Sequence, residues 1–230
     1  MKFKIISFNN IQNHIFEWNF DIIIIYKTAL YLAVEKENIE IVKLLLANEN
    51  LNINVSCKSE KNEFYQNKKE IIDLSPLLFA IDHDQVEIIQ LFLSNEFINI
   101  SDKIDINSRS MKAIFGNEIE IFEQTALYMS IEKQNINAIK SLLGRPDIDI
   151  NEKSFHLSGN NQMEEKTALH LAVEIGNPEI IKLLLEKKEI DINIEDSHGK
   201  KPIDYSENYE IKQLLSKWFS FHFKIAINKQ

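Results

Sequence analysis

The chain has 230 residues, 44% of them apolar, which is enough to bury a substantial core and excludes a wholly disordered polymer. With 26 basic against 35 acidic residues its net charge is −9, the wrong sign for a general nucleic-acid binder. A single cysteine, Cys57, excludes an intramolecular disulfide and a cysteine-only zinc site, and is consistent with a reducing compartment.

At the N-terminus Lys2 and Lys4 precede apolar Ile5 and Ile6, but Asn9, Asn10, Gln12, Asn13 and His14 interrupt what a signal peptide would need as its apolar stretch. The longest apolar run, Ile22 to Tyr26, is far too short to span a bilayer. The expectation is a soluble, intracellular chain, cytoplasmic with the nucleus left open. Phe16, Trp18 and Phe20 suggest a packed N-terminal cap over residues 1–20. A docking site for a partner and a fragment of a preceding repeat are the alternatives.

From Thr28 onward the chain repeats itself. Four segments align without a gap, each 27 residues long: Thr28 to Asn54, Ser75 to Ser101, Thr125 to Asn151 and Thr167 to Asn193. Each opens with Thr or Ser and carries a small residue five places later: Ala33, Ala80, Ser130 and Ala172. Ten places after the opening comes Asn38, Gln85, Asn135 or Asn177. The units close with Leu51-Asn52-Ile53-Asn54, Ile98-Asn99-Ile100-Ser101, Ile148-Asp149-Ile150-Asn151 and Ile190-Asp191-Ile192-Asn193.

Each unit reads as two short helices. In the last, Thr167 is placed to cap the first helix, where Leu169, Ala172 and Val173 recur at helical spacing. Pro178 opens the second, which reads to Leu185 and is apolar over a face too wide for one neighbour to cover. Helices of this length are not stable alone, so the units must stack into a solenoid. A shortened fifth unit opens at Lys201-Pro202-Ile203-Asp204, and its second helix, from Glu210 to about Phe219, is polar enough to form a C-terminal cap. The aromatic tail from Ser220 to Gln230 is expected to fold back on that cap.

These units resemble the ankyrin repeat, most closely in Thr167-Ala168-Leu169-His170-Leu171-Ala172, Gly176-Asn177, Ile180-Ile181-Lys182-Leu183-Leu184 and Asp191-Ile192-Asn193. The resemblance implies an all-α solenoid of stacked helix-turn-helix repeats with β-hairpin fingers. It divides the chain into a cap segment and first arm (1–27), an array with units opening at 28, 75, 125, 167 and 201 (28–219), and a tail (220–230). The glycine that ends the family's first helix is Glu37, Asp84 or Gln134 in the first three units. A non-glycine residue in a left-handed conformation costs ~1 kcal/mol, so these units should be individually weak.

The last hairpin arm, Ile194 to Lys200, has the usual 7 residues, while the earlier connections 55–74, 102–124 and 152–166 exceed it by 13, 16 and 8. All three insertions are expected in the arms and none in a helix, because added loop length costs little. Glu118 to Phe122 alternates like a strand, and Ile104-Asp105-Ile106-Asn107 suggests a continued one. Lengthened fingers are the preferred reading, with a disordered loop as the alternative for Lys58 to Lys69. On this reading, trimming 102–124 to 7 residues should leave the melting point broadly intact.

No chemistry stands out. The six histidines lack zinc-ligand spacing, Cys57 and His83 have no nucleophile motif around them, and phosphate-cradling glycine loops are missing, so no enzyme activity and no cofactor are expected. The resemblance gives His170 a structural role in the tight turn. Seven places after each opening, however, an acidic residue recurs: Glu35, Asp82, Glu132 and Glu174, followed by Lys36, His83, Lys133 and Ile175. In an ankyrin-like array these positions lie at the ends of the first helices on the concave surface. A solvated face accounts for them, and so does an acidic stripe selecting a basic partner. With Phe115 and Lys166 added from the arms, they are the candidate partner-binding residues. The expected function is a monomeric, non-catalytic protein-interaction module that binds no nucleic acid and has no membrane span. The alternative is an adaptor or inhibitory subunit that recruits a target to a ubiquitin ligase, kinase or proteasome.

Overall fold

The computed structural model describes residues 16–17, 22–25, 27–48, 50–63, 68–93, 105–116, 118–160 and 162–227. The repeat opens the same way four times. Thr28, Ser75, Thr125 and Thr167 hold extended backbone, and their hydroxyl oxygens accept from the N–H three residues on, capping α1 (Ala29–Glu35), α3 (Pro76–Asp82), α5 (Ala126–Glu132) and α7 (Ala168–Ile175). The second helices are α2 (Ile39–Leu46), α4 (Val86–Leu93), α6 (Ile136–Leu143) and α8 (Pro178–Leu185). Asn38, Asn135 and Asn177 cap three of them through their side-chain oxygens.

Burial explains the spacing. Ala33, Ala80, Ser130 and Ala172 are all buried, so neighbouring helices approach closely there, and the one hydroxyl among them, Ser130, donates to the Ala126 carbonyl at 2.8 Å. Leu30, Val34, Leu78, Ile81, Leu127, Ile131, Leu169 and Val173 continue as one core from the first unit to the fourth. The expected left-handed positions are there too: Glu37, Asp84 and Gln134 have φ between 51° and 54°, where the fourth unit has Gly176 at 77°. Their side chains offset the strain by reaching the next unit. Glu37 accepts from the Gln85 amide at 3.3 Å, Asp84 from the Asn135 amide, and Gln134 from the Asn177 amide at 3.2 Å.

The arms change the fold class. β1 (Phe16–Glu17), β2 (Ile22–Ile25), β3 (Cys57–Glu63), β4 (Lys68–Leu74), β5 (Arg109–Phe115), β6 (Ile119–Thr125), β7 (Lys153–Leu157) and β8 (Met163–Thr167) form one antiparallel sheet in sequence order. Pairing also crosses between fingers, with Ile71 opposite Ala113 and Phe122 opposite His156. An all-α label is therefore too narrow: the array is a helical solenoid with a continuous sheet along its finger side. The disordered alternative for Lys58 to Lys69 gives way to paired strands on either side of 64–67, which lie outside the described residues.

A second correction concerns the second unit. The N–H of Asp105 donates to Asn54 Oδ1, that of Asp149 to Asn107 Oδ1 and that of Asp191 to Asn151 Oδ1, all at 2.8–2.9 Å. Ile53, Ile106 and Ile150 are correspondingly buried. The second unit thus closes at Asn107, six residues later than the gapless alignment places it, and Asp105 to Asn107 are loop and turn rather than strand. Six inserted residues therefore precede the closing turn instead of lengthening the arm. Ile98 to Ser101 lie outside the described residues, as do most of residues 1–20 and the cap expected there.

The fifth unit begins with a short 3-10 helix, Pro202–Tyr205, followed by α9 (Tyr209–Ile227). Instead of turning back at Ser220, the chain continues the helix to Ile227. Trp218 ties it to the fourth unit by donating from its indole N–H to the Leu185 carbonyl at 2.8 Å.

Candidate functional site

The acidic residues stand where the periodicity puts them: Glu35, Asp82 and Glu132 end α1, α3 and α5, and Glu174 lies one residue before the end of α7. What the periodicity does not reveal is their charge state as a group. Glu35 is ion-paired with Lys27, which also lies 5.6 Å from the centre of the Tyr31 ring. Asp82 meets Lys133 of the next unit at 3.0 Å and His83 at 3.7 Å. Glu174 meets Lys166 at 3.0 Å. Glu132 accepts only an amide hydrogen bond, from Gln124 at 3.3 Å, and has no cation beside it among the described residues.

The remaining candidates divide. His83 stacks on Phe79 with ring centres 3.9 Å apart, its Nδ1 is 3.0 Å from the Phe79 carbonyl oxygen, and Tyr31 meets Phe79 edge-on. Lys36 caps α1 with its backbone and is exposed. Ile175 packs against the core rather than facing a groove. Phe115 ends β5 opposite Ile119, away from the helix ends. Lys166 is nearly buried, since it also approaches Glu164 at 3.4 Å and the Tyr205 ring at 4.6 Å.

Sequence reasoning misses the cavity beside Glu132. It measures about 100 Å³ and is walled by Phe122, Tyr128, Phe155 and His156, with Glu132 and Glu164 among its polar lining. Phe122 and His156, cross-strand partners on β6 and β7, stack with centres 4.2 Å apart. His156 Nε2 is buried and lacks a hydrogen-bond partner among the described residues. Burial raises the Tyr128 phenol well above its ordinary pKa, and Glu132, Glu174 and Glu164 add to the shift. A comparison of arm residues does foreshadow the site: the place before each opening is Lys27, Leu74, Gln124 and Lys166 in turn.

Two other groups are structural. His170 is fully buried; the Thr167 N–H donates to its Nδ1 at 3.2 Å, so its Nε2–H donates to the Lys200 carbonyl at 3.1 Å. Burial pushes the Cys57 thiol up to about 12, which leaves it protonated and a poor nucleophile. Among the described residues no three His, Cys, Asp or Glu side chains gather as metal ligands, and no helix is long and apolar enough to cross a membrane.

No curated protein matches the chain. A solved structure titled as that of EF0377, an ankyrin repeat protein, superposes with a TM-score of 0.52 at 16% identity, covering 84% of this chain and 80% of its own, a likeness of fold. The family model described as "Ankyrin repeats (3 copies)" matches residues 8–107 and 153–224, well over half of the sequence. With the capped helix pairs, the left-handed turns and the asparagine ladder between closing turns, that match settles the family: the chain belongs to the ankyrin repeats.

Proposed function

We propose that the chain is a monomeric, non-catalytic protein-binding module, acting in the cytoplasm, that holds a partner with a basic surface between its first-helix ends and its fingers. Ankyrin repeats in general mediate protein–protein interaction, which supports the coarse reading. The observation that carries the finer one is the recurrence of a carboxylate at the end of each first helix, beside the sheet of lengthened fingers. The row is not uniform in strength. Where a carboxylate already holds a lysine, its charge is largely neutralised, and a basic partner gains less by approaching. The third unit, with Glu132 unpaired, is the strongest part of the surface.

The test begins with a partner identified by affinity purification and mass spectrometry on the whole chain. Its dissociation constant is then measured against wild type and against a variant with Glu35, Asp82, Glu132 and Glu174 all changed to Gln. The expected result is weaker binding by the variant and a wild-type affinity that falls as salt rises. Equal affinities with an unchanged circular dichroism spectrum would move the binding surface elsewhere on the molecule.

A further inference from the structure

Three units show how this fold treats the carboxylate at the end of a first helix. In the first, Lys27 pairs with Glu35 and lies near the face of Tyr31; in the fourth, Lys166 occupies the same place in the repeat and pairs with Glu174. Each lysine stands eight residues before its acid. The second unit has Leu74 at that place, and Asp82 takes Lys133 from the following unit instead. The third unit keeps the tyrosine and the acid, as Tyr128 and Glu132, but has Gln124 where the lysine belongs. The cavity opens at this third unit, lined by all three residues.

We propose that this cavity is a receptor for a lysine side chain of the protein partner, whose ammonium takes the position that Lys27 fills in the first unit. The occupant's chemistry follows from the walls. An ammonium has three donors and no acceptor. Glu132 is an acceptor with no cation beside it among the described residues, and Glu164 is a second acceptor that already meets Lys166. His156 Nε2 is an unused ring nitrogen, and Phe122 and Tyr128 present aromatic surface to the aliphatic stem. A volume of about 100 Å³ is several times the ~10–15 Å³ that one water requires. Lys166 also lines the cavity but does not neutralise Glu132, since its ammonium is engaged by Glu174, Glu164 and the Tyr205 ring. The inference rests on the protein-binding reading above, and it assigns one contact within it.

The experiment needs no protein partner. The full chain, isotopically labelled, is titrated by NMR with n-butylammonium chloride at constant ionic strength, sodium chloride serving as the control. Saturable shifts confined to Phe122, Tyr128, Phe155 and His156 are expected. In Gln124→Lys the introduced lysine fills the cavity from within, so the probe should bind about tenfold or more weakly, and the Tyr128 signals should start displaced toward their bound positions. Glu132→Gln should also weaken the probe, while Lys27→Met should leave it unchanged at the third unit. Unsaturable shifts, equal response at Tyr31 and Tyr128, or undiminished binding by Gln124→Lys would each overturn the proposal. Such a failure leaves the test of the four-carboxylate variant standing, whereas undiminished partner binding by that variant beside intact ammonium binding overturns the broader reading and, with it, the assignment of the bound ammonium to a partner's lysine.

Discussion

At the scale of single residues, the first three units carry strain in one place and relief in another. Asp84 occupies a left-handed conformation with φ of 54° and uses its carboxylate to hold the Asn135 amide of the next unit. Asp84→Gly removes both the strain, ~1 kcal/mol, and the hydrogen bond, worth ~0.5–1.5 kcal/mol, so its net effect should be small. Asp84→Ala keeps the strain and loses the bond, and denaturant titration should find it about 1 kcal/mol less stable than wild type. A midpoint for Asp84→Ala equal to that of wild type would show that the bond contributes nothing, and equal midpoints for the two variants would show that the left-handed turn costs nothing. The last hairpin offers a titration instead. Burial lowers the pKa of His170 below its ordinary 6.5, so the neutral ring's contribution is fully present above pH 6.5 and is lost as the pH falls through the folded value. Burial alone would raise Asp196, but hydrogen bonds from Tyr205, Lys200 and His198 hold it down at about 2, so its contribution fades between pH 3.8 and about 2. Melting curves should therefore fall in two acid steps, and His170→Gln should abolish the upper one.

At the scale of elements, the fingers are not independent. The β5–β6 hairpin pairs along β4 on one side, from Lys69 opposite Phe115 to Asp73 opposite Met111, and along β7 on the other, from Ile121 opposite Leu157 to Glu123 opposite Phe155. Replacing residues 108–124 by the 7-residue arm Ile194–Lys200, with Asn107 kept for its bonds to Asp147 and Asp149, removes both ladders. Each cross-strand pair contributes ~0.2–1 kcal/mol, so the melting point should fall by on the order of 10 °C while the helical circular dichroism remains. An unchanged melting point would mean that the sheet adds nothing to stability. This reverses the expectation from sequence, which treats each insertion as an isolated loop. The reason is physical: strand pairing between fingers is a long-range match of registers, and nothing within one finger announces it.

At the scale of the molecule, what is legible in the sequence is what recurs. Thr28, Thr125 and Thr167 announce the helix starts, Ala33 and Ala80 the close packing, and Glu37 and Gln134 the strained turns, because every unit must solve the same packing problem. What fails is the reading of departures. The true end of the second unit is obscured because Ile98-Asn99-Ile100 imitates a closing turn that Asp105-Ile106-Asn107 makes. The candidate row is legible residue by residue, but its neutralisation is not, since Lys133 reaches back a full unit to Asp82. The cavity at Glu132 depends on Phe122 and His156 meeting across strands 34 residues apart in the chain. The sheet has one more consequence, which concerns mechanics. A helical solenoid bends by small rotations at each junction between repeats, as a spring does. Here the junctions between the first four units are bridged a second time, by β2 on β3, β4 on β5 and β6 on β7. Helix layer and strand layer act like the two flanges of a beam, so opening a junction on either side must stretch hydrogen bonds or separate packed side chains. The gap between helix ends and fingers is thereby held at a set width, and a partner seated where we propose would meet a jaw of fixed gauge rather than one that closes around it.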